Sequence, residues 1–321
     1  MQILGNIFNA MIFISAIGSI FTVLSLFIHH VLRCPLPLWF PLCGMILFCF
    51  PFLSSDVFLI SPEVQEWLNG FYIASVIWMC GCGVFLIYDT IRFMLAKRAM
   101  KDYHLCNSDR INDICSQCTA VIGLKKVPLL YWGTLEQPIC VTGVIRPAII
   151  MNKTIIEQLT DTELFTVLSH ELTHIKRKHI LCERIFDYVC ILNWLNPISW
   201  IARNDFSLHC EIDCDCNSLK LSQGKFTETE YASAIVRLLE LSAVQAPNSR
   251  KRIGVLRFAL TKQRIKRSTA KTSKIKDKLI SAALIVLLIL TIAFSTQFSR
   301  EHFYPYPAYN TGTEYSAGYH E

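Results

Sequence analysis

Four runs of the chain, residues 7–28, 34–55, 67–88 and 279–299, contain no Asp, Glu, Lys or Arg. The hydrocarbon core of a bilayer takes about 20 residues of apolar helix to cross, so each run is long enough to span one. In water all four would need burial, and the rest of the chain could not cover them. The composition agrees: 52% of residues are hydrophobic and 17% charged, too apolar for an ordinary soluble domain. Pro35, Pro37, Pro41 and Pro51 interrupt the second run, so its helical part is expected to be shorter than the uncharged stretch. Residues 1–6 hold no Lys or Arg. The first run therefore lacks the charged leader of a cleaved signal peptide and is read as a retained span.

Lys and Arg gather on the cytoplasmic side of membrane helices, and the loops here agree on one orientation. Arg33 follows the first run, the loop 56–66 has Asp56, Glu63 and Glu66 with no basic residue, and Arg92, Lys97, Arg98 and Lys101 follow the third. Residues 250–278 carry 12 Lys or Arg against Asp277 alone, just before the fourth run. This predicts a multi-pass protein of the plasma membrane with both termini outside and residues 89–278 in the cytoplasm. Phe258 is the one aromatic in the basic tract, so attraction to anionic lipid explains the tract better than binding to nucleic acid. The tail 300–321, with Tyr304, Tyr306, Tyr309, Tyr315 and Tyr319, has no aliphatic core and is expected to be disordered. The 14 Cys are spread along the chain, and the Cys115–Cys118 pair has no second CxxC to complete a zinc ribbon. Reduced, packed cysteines are expected.

Inside the cytoplasmic segment, residues 127–133, 138–144 and 146–151 read as short strands punctuated by Gly133, Gly143 and Pro147. The period then changes. Thr160 and Glu163 have capping-box spacing, and Leu164, Val167, Leu168, Leu172 and Ile175 continue a helical stripe. On this helix lies His170-Glu171-Leu172-Thr173-His174. Residues four apart share a helix face, so His170 and His174 can reach one metal ion while Glu171 holds the attacking water.

A metzincin extension would need Gly and His where Arg177 and Ile180 stand, and His179 is out of register. A gluzincin instead takes a Glu from a second helix, with an Asp four residues later. Glu211 and Asp215 have that spacing in the segment 205–221, although paired carboxylates also suit an ordinary solvated helix face. His179 and His209 are candidates for stabilising an oxyanion, but each reads first as a partly exposed helix histidine. Cys210, Cys214 and Cys216 flank the second helix and read as packing residues. Residues 188–202, with Trp194 and Trp200 around Asn196-Pro197, are too short for a span and are expected to pack on one or dip into the interface.

The run SHELTHIKRKH, then LNWLNPISW, then EIDCD resembles the BlaR/MecR family of membrane metallopeptidases, antibiotic-sensing signal transducers and their shorter relatives. TGVIRPAII, upstream of the helix, is similar to the strand region of that family. Two features depart from it: His179 stands where Asp is common, and no penicillin-binding sensor is recognised in these residues. The resemblance implies one zinc per chain held by His170, His174 and Glu211, with Glu171 as general base and Asp215 steadying a ligating histidine. It also implies a cytoplasmic protein substrate, such as a transcriptional repressor, and autocleavage within 250–278.

The expected fold is a mainly α-helical membrane protein. Residues 1–95 hold three transmembrane helices, 96–249 a cytoplasmic α+β gluzincin-like domain, 250–278 a basic linker, 279–299 the fourth helix and 300–321 an external tail. Membrane lipids, the protein substrate and a second copy in a homo-oligomer are the expected partners. A scaffold-receptor that keeps the metal fold without catalysis is the rival reading; retention of Glu171 speaks against it. A transporter is disfavoured because the runs hold no charged residue.

Overall fold

A computed structural model describes residues 72–133, 137–221 and 226–245, with scattered helical positions in the first and last apolar runs. The second run, the loop 56–66, the basic tract 250–278 and the tail 300–321 lie outside the described residues.

Helix α1, described over Tyr72–Ala99, overlaps the third uncharged run and continues beyond its end. The stretch Ile73–Asp102 is the one helix among the described residues long and apolar enough to cross a membrane. Ile73, Ile77, Val84, Leu86, Ile87, Ile91 and Leu95 stand exposed along it. An exposed apolar surface of this extent matches a lipid contact better than water. No Gly or Pro breaks the helix after Tyr88, so it carries Arg92, Lys97 and Arg98 out in the same rod.

The rest is a small sheet with helices packed against it. Strands β1 (His104–Leu105), β2 (Leu129–Trp132), β3 (Ile139–Thr142) and β4 (Ala148–Met151) form one sheet in the order β1-β2-β4-β3. β2 and β4 are parallel, while β1 and β3 run antiparallel to their neighbours. Three of these strands coincide with the runs expected from sequence. The fourth, β1, is a two-residue pairing with no apolar alternation to announce it. All four side chains of β4 are buried, as its place between β2 and β3 requires. Gly143 makes the β3–β4 turn: its φ is +85°, and a Cβ there would lie 2.6 Å from the Arg146 carbonyl oxygen.

α2 (Asp109–Ile122) and the short α3 (Lys153–Ile156) flank the sheet, followed by α4 (Asp161–Arg177), α5 (His179–Leu192), α6 (Pro197–Leu221) and α7 (Glu228–Gln245). The expected capping box closes α4: Thr160 N donates to Glu163 Oε2 at 2.8 Å and Glu163 N to Thr160 Oγ1 at 3.3 Å. Leu164, Leu168 and Leu172 of α4 pack on Ile111, Cys115, Cys118 and Ile122 of α2, on Ile149 and Met151 of β4, and on Tyr231 of α7. Cys115 and Cys118 are thus reduced core residues with no exposure. Lys178, at φ 57°, ends α4 in the left-handed conformation and turns the chain straight into α5. Asn196 starts α6: its Oδ1 accepts from Ile198 N at 2.9 Å, and Pro197 fills the first helical position. The helix carrying Glu211 therefore begins eight residues before the expected start at 205.

Candidate metal centre

Three donors converge where α4 meets α6. His170 Nε2 and His174 Nε2 are 3.2 Å apart; Glu211 Oε2 lies 3.6 Å from the first and Glu211 Oε1 3.4 Å from the second. A tetrahedral zinc with bonds of about 2.0–2.1 Å holds its donors about 3.3 Å apart, so this set fits the ion in spacing and in ligand type. The helix pitch brings the histidines together, and the packing of α6 on α4 supplies the carboxylate.

Each histidine is gripped from behind. His170 Nδ1 lies 3.1 Å from Asp215 Oδ1 and 3.1 Å from Tyr231 Oη, and the tyrosine hydroxyl donates to Asp215 Oδ1 at 2.7 Å. The carboxylate can accept both protons, which puts the His170 ring proton on Nδ1 and turns the Nε2 lone pair toward the centre. Burial works against a charge on His170, but hydrogen bonds to Asp215 and Glu211 outweigh it and raise the pKa to about 10. An incoming cation has to displace the second proton, the one on Nε2.

His174 has a different support. Its Nδ1 lies 3.4 Å from Nδ1 of His179, whose Nε2 is 3.4 Å from Asp213 Oδ2, an ionic contact without the alignment of a hydrogen bond. Arg177 grips Asp213 with two bonds of 2.8 Å. Burial would raise the Asp213 carboxyl, yet the two hydrogen bonds from Arg177, aided by the nearby His179, hold it well below the usual carboxylate range. His179 and His209 are buried, at 1% and 4% exposure, rather than partly exposed as expected from sequence. The αL turn at Lys178 folds His179 back under His174, which no helical periodicity shows.

A second donor group shares His174: His174, His179 and Cys214 also lie close enough to hold an ion. The first group is the better centre. Glu211 keeps a third of its side chain exposed, leaving an open side, whereas His179 and Cys214 are sealed. Burial, followed by the charges of Glu211 and Glu171, pushes the Cys214 thiol far up and disfavours the thiolate a metal needs.

Glu171 belongs to neither donor group. Burial raises Cys140 on β3 to about 11 with a further push from the Glu171 charge, and the same charge acts on Cys214 of α6. The Glu171 charge thus reaches both the edge strand and α6, the helix that carries Glu211. Tyr231 is the site residue that the sequence reading missed. It arrives from α7, and its only local signal is the capping box of Thr227 and Glu230, which places it on the first inward-facing turn.

The model of the BlaR1 peptidase M56 family matches residues 57–268. The chain belongs to this family. Among curated M56 relatives, the regulatory protein BlaR1 of Bacillus licheniformis is 27% identical over 165 residues, covering 51% of this chain and 27% of that protein. The methicillin resistance mecR1 protein of Staphylococcus aureus is 25% identical over 174 residues, covering 54% of this chain and 29% of its own length. The mecR1 protein of Staphylococcus epidermidis gives the same values. The chain spans less than a third of the length of these relatives.

Asp215→Asn removes the charge that orients His170 and should weaken zinc affinity by about 10–100-fold in chelator competition. Tyr231→Phe should cost less, because the direct contact between Asp215 and His170 remains.

Proposed function

We propose that the chain is a membrane-anchored zinc metallopeptidase that hydrolyses peptide bonds of a cytoplasmic protein in transmembrane signalling. The observation that carries this reading is the spacing of His170, His174 and Glu211, which suits a tetrahedral ion, with Glu171 next to His170 on the same helix. These three residues hold the ion, and membership of the M56 family supports the peptidase chemistry. Zinc, when bound, supplies a Lewis acid that lowers the pKa of a water toward about 7.

Glu171 orients that water and takes its proton, then returns the proton to the leaving amine. Asp215 and Tyr231 keep the His170 ring fixed through the reaction, and His179 backs His174. The relatives' names, a regulatory protein and methicillin resistance proteins, fit a signalling role, and the substrate class proposed here is a cytoplasmic regulator such as a transcriptional repressor. In this reading four spans anchor the chain, both termini are external, and the basic tract 250–278 lies on anionic lipid.

The reading is tested by incubating the full chain, purified with zinc, with a broad peptide library and with co-expressed cytoplasmic proteins, then identifying new termini by mass spectrometry. Cleavage abolished by chelation and restored by zinc is the expected result. A zinc-loaded protein that cuts nothing, itself included, would leave a receptor built on the metallopeptidase fold.

A further inference from the structure

We infer that α5 and the first half of α6 form a re-entrant hairpin whose tip, residues 192–197, reaches the middle of the bilayer and meets lipid acyl chains. The inference rests on α1 crossing the membrane and does not depend on peptidase activity.

The tip is docked against the centres of two apolar runs. Trp78, at the middle of the run 67–88, donates from Nε1 to the Leu192 carbonyl at 2.8 Å, and Trp194 Nε1 donates to the Trp78 carbonyl at 3.1 Å. Asn196 Nδ2 reaches Ser15 Oγ at 2.7 Å and Ser19 Oγ at 2.6 Å. Ser15 and Ser19 bracket the middle of the run 7–28. Two separate apolar runs therefore assign the tip the same depth.

The arms measure that depth as well. Arg184 of α5 pairs with Asp89 at 3.0 Å, and Asp89 is the first charged residue beyond the third run. From Arg184 to Leu192 the helix rises about 12 Å at 1.5 Å per residue, close to the roughly 15 Å half-thickness of a hydrocarbon core.

Broken backbone at membrane depth is tolerated only where protein satisfies its polar groups, and four backbone groups around the break between α5 and α6 find protein partners, although the buried Asn193 Oδ1 has none. The Ile191 carbonyl takes Cys82 Sγ at 3.4 Å, Leu192 takes Trp78, Asn193 takes Ser199 Oγ at 3.3 Å, and Ile198 N finds Asn196 Oδ1. A turn in water would need none of these. The charges nearest the tip, Asp187 and Arg203, face each other at 2.8 Å, as ions below the interface must. Outward, Ile185, Tyr188, Leu195 and Ile201 are 42–53% exposed and continue the apolar surface of α1. Gly81 permits the docking, since a Cβ there would lie 2.3 Å from the Trp194 ring.

The hairpin fixes the height of the metal centre. Glu211 lies about 22 Å along α6 from Asn196 at 1.5 Å per residue, which is headgroup depth when the tip is at mid-bilayer. Peptides reaching the centre would do so at the membrane surface.

The test reconstitutes the full chain in phosphatidylcholine vesicles containing a phosphatidylcholine with a diazirine at the end of one acyl chain. After photolysis, adducts are mapped by mass spectrometry. Adducts on Leu195 and Ile201 as well as on α1, with α7 clean, are expected. Labelled α1 with residues 185–201 clean would overturn the hairpin, and clean α1 would remove the span on which it rests. Gly81→Val should dislodge Trp194 and reduce labelling of Leu195 to the level of α7 while α1 keeps its adducts. Undiminished labelling of Leu195 in that variant would mean that the tip is not docked on Gly81, and would also overturn the inference.

Discussion

Glu171→Gln leaves the zinc content of the purified protein unchanged and lowers the rate of peptide hydrolysis by about 10²–10⁴-fold, the usual worth of a positioned general base. The two halves of this result come from different facts. Zinc stays because Glu171 is outside the donor group of His170, His174 and Glu211, and glutamine has the size of glutamate. Hydrolysis falls because an amide cannot take a proton from water at neutral pH. The loss should appear in kcat with KM little changed, since the step affected is the chemical one. Zinc is measured by atomic absorption and hydrolysis on the same preparation. A variant that cut at the normal rate would deprive Glu171 of its role, and one that lost its zinc would make Glu171 part of the metal set.

Glu211→Ala empties the centre. At free zinc about 1,000-fold above the dissociation constant, binding stabilises a folded protein by about 4 kcal/mol. For a domain of roughly 150–250 residues each kcal/mol moves Tm by about 2–4 °C. The zinc-dependent rise in melting temperature should therefore be about 8–16 °C in the unaltered protein and absent in Glu211→Ala. The second donor group gives the experiment its contrast. Were the ion held by His174, His179 and Cys214, Cys214→Ala would abolish the zinc-dependent rise and Glu211→Ala would leave it intact. The open side beside Glu211 and the raised thiol of Cys214 predict the opposite order.

Much of the site was legible because its spacing is local. A helix repeats its face every three to four residues, so His170 and His174 declare a shared direction from their separation alone, and Thr160 with Glu163 declares where that helix begins. Glu211 and Asp215 could be proposed as a pair by the same rule, but spacing alone could not say what they face. The strands β2, β3 and β4 were marked by apolar runs and by Gly143. β1, two residues long, carried no pattern to read.

The sequence by itself determined the apolar runs, the HExxH helix and the chemical type of the donors, because composition and periodicity act over a few turns of chain. The tertiary structure alone decided which groups stand behind each histidine. Tyr231 reaches His170 from a separate helix, and His179 reaches His174 only because Lys178 turns left-handed. It also decided between the two places open to residues 188–202, on a span or in the interface: Trp78 of α1 and Ser15 and Ser19 of the first apolar run hold the turn at 192–197. The physical reason is the same in each case. These contacts join segments far apart in the chain, and their geometry is set by how helices pack, which no local repeat encodes.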